Sequence, residues 1–201
     1  MDEKTVRLVR SALQWFVELT VIIIILTLWN TPSSGALNLA RAAGLIGYIA
    51  VFLAILSFEF VTEMTRLYGR PYLVVHHWLA FAGLGLALLH PLAMAGIARD
   101  NSVFVPRFDS VRTFLTFGGP PALYLLLIAA AAGFLRGRIG SSWKYIHWLN
   151  YAAFFLILAH SWLLGTNVPQ GILSVLWPAM ALIVLVVFVH KHLLRKGRPA
   201  S

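Results

Sequence analysis

The sequence predicts an all-α, polytopic membrane bundle of six transmembrane helices with both termini on the cytoplasmic side. Three observations carry that prediction. Apolar residues make up 60% of the 201-residue chain and its mean hydropathy is +0.82, more than a soluble domain of this length needs. Six apolar runs fill nearly the whole length, which leaves room for one membrane domain and no separate soluble one. Twelve of the sixteen Lys and Arg residues gather at the N-terminus, in residues 62–71, in residues 136–144 and at the C-terminus. Positive residues collect on the cytoplasmic side, so those four segments are assigned there. Arg41, Arg99, Arg107 and Arg112 fall on the other side.

The same bias accounts for the net charge of +9 without any nucleic-acid partner. The partner that the composition implies is the lipid bilayer, in a multi-pass protein of the cell membrane. The absence of cysteine excludes disulfides, iron–sulfur clusters and thiolate haem ligation.

Residues 1–15, with Lys4, Arg7 and Arg10 among apolar neighbours, read as an amphipathic cytoplasmic lead-in. The transmembrane domain spans 16–193, and 194–201 is a basic cytoplasmic tail. The first run, 16–29, also fits a signal peptide; a retained helix is expected, because the run extends back to residue 11 and Trp29 stands where an interfacial anchor belongs. NTPSSGALN is an uncharged turn. The second helix is placed at 38–61, with Gly44 and Gly47 allowing close helix approach. TEMTRLYGRP is a basic loop. The third helix is placed at 72–97 and a polar loop at 98–113. A fourth helix covers 114–135 and ends in the small-residue run AAAAGFL. RGRIGSSWK returns to the basic side. The fifth and sixth helices are placed at 143–164 and 171–193, joined by GTNVPQG.

Histidine inside a membrane segment is costly and usually functional. The third helix carries His76, His77 and His90; the fifth carries His147 and His160. Spacings of 14 or 13 residues correspond to roughly 20 Å along a helix, too far for one metal ion and well inside a hydrocarbon core of about 30 Å. Neutral imidazole is a good iron ligand, so two parallel helices with two histidines each suit two stacked haems. Facing is less even. Fourteen positions bring His90 within about 40° of His76, whereas thirteen leave His160 about 140° from His147, a difference for tilt or a local bulge to absorb. Either His76 or His77 suits the inner position; the alternative role for His77 is a contact to a haem propionate. Gly83 and Gly85 lie midway between the histidines, where they either admit a flat macrocycle or pack helices; Phe154 and Phe155 read as core. His190 and His192 have no partner pair and read as interfacial. Donors for haem propionates are Arg66, Arg70, Arg138 and Lys144 inside, and Arg41 and Arg99 outside.

HHWLA…LLHPL and WKYIHWLNY…LAH resemble the paired-histidine helices of the ferric reductase-like transmembrane domain superfamily. That group includes ferric reductases, NADPH oxidases and the haem-binding membrane subunit of the methionine-sulfoxide reductase system. ARAAGLIG at 40–47 resembles the outer end of the family's second helix, and the resemblance covers about 38–166. It implies two b-type haems, with His76 and His147 on the inner iron and His90 and His160 on the outer, and His77 where the family usually has Arg. Arg is common at the place of His76 or His77 in the methionine-sulfoxide reductase subunit, so four histidines argue against that branch. Many members continue into flavin and nicotinamide domains. GLGLAL lies inside an apolar helix and is no dinucleotide turn, so FMN or FAD is expected on a partner.

The expected role is electron transfer across the membrane, from a cytoplasmic flavin reductase or a quinol to an outer-side acceptor, with no catalytic side chain of the chain's own. One alternative is a quinol-linked cytochrome b that anchors a periplasmic oxidoreductase. Another is a haem-free metal or proton transporter. Glu18, Glu59 and Glu63 sit toward helix ends, which disfavours a proton relay.

Overall fold

In the computed structural model, residues 3–68 and 72–194 are described, and all regular structure among them is helical. The chain divides into two compact units, Met1–Ala93 and Met94–Ser201.

In the first unit α1 runs without a break over Glu3–Trp29, so the basic lead-in and the first apolar run are one helix. The Ser34 hydroxyl accepts the Leu37 N–H at 3.3 Å and starts α2, Gly35–Glu59. α2 is the buried element, with Ala40, Tyr48, Phe52 and Ser57 all shielded. TEMTRLYGRP, expected as a loop, carries a short helix α3, Val61–Tyr68. Arg70 lies outside the described residues. α4, Tyr72–Ala98, continues through Pro91. Glycines bring α2 and α4 together: a Cβ at Gly47 would lie 3.2 Å from Leu86 Cβ, and one at Gly83 would lie 3.0 Å from Val51. Gly83 is therefore a packing residue, whereas a Cβ at Gly85 would meet nothing within 4 Å.

α4 ends in a left-handed residue, Arg99 (φ 52°), and the Asp100 N–H closes back on the Ala95 carbonyl at 3.2 Å. This is a Schellman-type stop, a place usually taken by glycine. Asp100 in turn caps the 3₁₀ turn Asn101–Phe104. The Ser102 hydroxyl and N–H, with Arg107 nearby, hold its carboxyl below the usual carboxylate range.

In the second unit the fourth and fifth expected helices are each interrupted. The fourth is α5, Val111–Thr116, followed by α6, Gly119–Phe134. Pro120 and Pro121 stand in the first turn of α6, where their missing N–H groups cost nothing. α7, Arg136–Ile139, and a 3₁₀ turn at Gly140–Ser142 lead to α8, Trp143–His147, and α9, Leu149–Leu163. The break at Trp148 is marked by a bond from the Tyr151 N–H to the Trp148 carbonyl, three residues back. α10, Leu173–Phe188, passes through Pro178 into a π-helical end, Val189–Leu194.

Among the described residues, four helices are long and apolar enough to cross a membrane: Lys4–Trp29, Gly35–Glu59, Leu73–Ala98 and Leu173–His192. Gly119–Phe134 and Arg136–Leu163, bent by 74°, make a fifth if taken as one span. Large apolar side chains stand exposed, Trp78 at 73% and Val175 at 66% among them, as lipid-facing helices require.

Candidate functional site

Four histidines are held in the same way. His76 Nδ1 lies 3.0 Å from the Ala54 carbonyl, and His90 Nδ1 lies 2.8 Å from the Ala40 carbonyl, both on α2. His147 Nδ1 lies 2.9 Å from the Ala129 carbonyl on α6, and His160 Nδ1 lies 2.8 Å from the Thr116 carbonyl at the end of α5. A carbonyl oxygen only accepts, so Nδ1 carries the proton in each ring, and Nε2 of the neutral imidazole is the nitrogen with the lone pair. That is the state in which histidine ligates a metal, with its second nitrogen anchored on the protein. Asn150 Nδ2, 3.3 Å from His147 Nε2, donates to that lone pair and agrees with the tautomer.

The register is equally regular. His76 and His90 are 14 residues apart, and so are Ala54 and Ala40; His147 and His160 are 13 apart, and so are Ala129 and Thr116. Each histidine pair therefore reads off the antiparallel alignment of its segment with the preceding one. The 140° mismatch expected for His147 and His160 belongs to an ideal helix. Here the phase is interrupted at Trp148 in one segment and at Phe117–Gly118 in the other.

Local sequence explains why these carbonyls are within reach. A helical side chain leans back over the turn before it, so the residue four positions on covers a carbonyl. That residue is Gly44 for Ala40 and Gly133 for Ala129. Each glycine lies against the ring: a Cβ at 44 would come 3.1 Å from His90 Nδ1, and one at 133 would come 3.6 Å from His147 Nδ1. At Ala54 that position is Phe58, whose ring packs on His76 with centroids 5.7 Å apart. At Thr116 it is Pro120, which has no N–H to offer, so this carbonyl is left for His160. Gly119 also abuts that ring, since a Cβ there would lie 3.2 Å from His160 Nε2.

The other expected residues are placed as follows. His76, His90, His147 and His160 are half-buried, whereas His77 is exposed, its ring 6.0 Å from that of His76 and 6.4 Å from that of Phe81. Arg41 follows Ala40 directly, is half-buried, and its Nη1 is buried with no hydrogen-bond partner. Arg66, Arg99, Arg138 and Lys144 are exposed. Phe154 is fully buried and packs edge-on against Phe155. His192, read as interfacial, sits among Trp148, Tyr151 and Phe188, with the Trp148 ring 4.9 Å away. Among the described residues, no three or more His, Asp or Glu side chains gather into a metal site. A porphyrin needs only axial ligands from the protein, so this donor set fits haem better than a bare ion.

The family model described as "Ferric reductase like transmembrane component" matches residues 40–158, more than half of the chain. The chain belongs to this family. No curated protein and no solved structure matches it. The family match opens on Ala40, the residue that seats His90, and closes two residues before His160. Three of the four anchored histidines of this ferric reductase-like domain thus fall inside it. The Trp143 ring of the WKYIH stretch lies 5.6 Å from that of His147. Sequence reasoning missed Ser57, Asn150, Gly119, Gly133 and the four carbonyls. The signal for two of them was present, as a small residue four positions after an alanine on the helix facing each histidine.

Proposed function

We propose that the chain is a di-haem b-type cytochrome that carries electrons across the cell membrane, from a cytoplasmic flavin reductase or quinol to an acceptor on the outer side. The observation that carries this reading is the four-fold repetition of one ring anchor, Nδ1 on a main-chain carbonyl, at matched spacings of 14 and 13 residues. His76 and His147 would hold the inner iron, and His90 and His160 the outer one. Bound haem would supply one-electron carriage, with these histidines as the residues that hold it. The protein's own part is to fix the imidazoles, choose their tautomer and exclude water.

Residues beyond the ligands support the fit. Gly85 leaves open space on α4 midway between its histidines. Arg41, with its buried and unpartnered Nη1 beside the seat of His90, is the donor best placed for a propionate of the outer haem. Lys144, Arg66, Arg138 and Arg99 remain exposed candidates at the surface. The reading keeps six spans with cytoplasmic termini; the antiparallel pairing of His147 with Ala129 and of His160 with Thr116 supports separate passes on either side of residues 136–144, and the charge bias supports the orientation. With a flavin reductase as donor, FMN or FAD would be the carrier that hands the electron to the inner haem.

The deciding experiment is purification in detergent with dithionite-reduced spectra and haem counted per chain. Two b-type haems per chain are expected. His90→Ala and His160→Ala should each lower the count to one. A chain that binds none, or variants that keep both, would overturn the reading.

A further inference from the structure

We infer that Ser57 makes one of the four ring anchors unlike the others and thereby sets the electron affinity of the haem that His76 holds. The inference rests on the haem reading above. It starts from a comparison internal to the chain. Three positions after each anchoring carbonyl stand Ala43, Ala132, Gly119 and Ser57, so only the anchor of His76 has a hydroxyl there. Ser57 is 0% exposed. Its Oγ donates to the Ala54 carbonyl at 2.8 Å and lies 3.4 Å from His76 Nδ1.

The Ala54 oxygen therefore receives the Ser57 hydroxyl in addition to the His76 N–H at 3.0 Å. A carbonyl drawn on by a second donor accepts less strongly from the first. The imidazole N–H is then less polarised, Nε2 is a weaker donor, and a ferric ion bound to it is less stabilised relative to ferrous. The hydroxyl's other contact, as an acceptor from Nδ1, is the longer one and works in the opposite direction; the shorter bond decides the sign. Ser57 thus acts as a positioning residue through His76, and it raises the potential of one haem above what the bare carbonyl anchor would give. The alternative is an ordinary serine back-bond along its own helix, which would leave both potentials unmoved.

The test is potentiometric titration of the purified full-length protein, with haem per chain measured alongside. Ser57→Ala should lower one of the two midpoints and leave the other in place. At a fixed potential the ferric-to-ferrous ratio of that haem should rise roughly two- to tenfold, the worth of one modest hydrogen bond. Ser57→Thr, which keeps the hydroxyl, should restore the original midpoint. Ala43→Ser puts a hydroxyl beside the Ala40 carbonyl and should raise the other midpoint. If Ser57→Ala keeps both haems and moves neither midpoint, the inference is overturned while the haem reading stands. If Ser57→Ala fails to load haem, Ala43→Ser decides in its place, and an unmoved midpoint overturns the inference. A parent protein without haem would sink both.

Discussion

A single added methyl group separates seats that are tight from seats that are loose. At Gly44 a Cβ would press on His90 at 3.1 Å, closer than a ring anchored at 2.8 Å can yield without moving. At Gly133 the distance to His147 is 3.6 Å, an ordinary contact. Gly44→Ala is therefore expected to cost about 1–3 kcal/mol by overpacking and to reduce haem per chain. Gly133→Ala should be neutral or slightly stabilising, since glycine in a helix costs about 0.5–1 kcal/mol against alanine. Thermal unfolding in detergent with haem absorbance as readout distinguishes the two; equal losses would show that the ring contacts do not matter. Arg99 offers the opposite case. It holds φ at 52° as the stop of α4, a conformation that costs a non-glycine residue about 1–2 kcal/mol. Arg99→Gly should raise the unfolding temperature with haem content unchanged. A fall in haem content would assign Arg99 to a propionate instead.

Among the elements, the break between α5 and α6 is part of the site rather than a defect in a span. Thr116 stands four residues before Pro120, which cannot donate, and the freed carbonyl takes His160. Pro120→Ala supplies the missing N–H and lets the helix compete for that oxygen. Haem per chain should fall toward one in this variant, and Pro121→Ala should do less because its partner carbonyl is not the anchor. If Pro120→Ala binds haem like the parent, the proline only starts α6. The break at Trp148 has the same kind of role in the partner segment, since it releases His147 from the helical phase of His160. The helices expected at 114–135 and 143–164 are therefore each interrupted, at Phe117–Gly118 and at Trp148. A hydropathy pattern averages over a window and cannot register the loss of one N–H. The prolines of FGGPP were visible in the sequence, but their meaning depends on which carbonyl they leave unbonded and on what lies opposite it.

For the whole molecule, the charge pattern makes a prediction that needs no side-chain geometry. Twelve of the sixteen basic residues lie in alternate connections, so the positive-inside bias predicts that both termini and residues 136–144 face the cytoplasm. Single cysteines introduced into this cysteine-free chain give a clean assay. Positions in 98–113 should react with a membrane-impermeant thiol reagent in intact cells, and positions in 136–144 should not. The reverse pattern would invert the assignment of donor and acceptor sides. Equal reactivity at both would mean that Gly119–Phe134 and Arg136–Leu163 do not return the chain across the bilayer.

Composition and spacing alone determined the class, the all-helical content and the histidines worth watching, because apolar length and the cost of a buried imidazole are properties of the chain itself. Tertiary structure alone showed that His76 rather than His77 is the ring seated on α2, gave Gly83 to packing, and left Arg41 with a buried nitrogen that has no hydrogen-bond partner. Those choices depend on which carbonyl lies across from which ring. No window of sequence holds that information, because the two partners of every anchor are 18 to 50 residues apart.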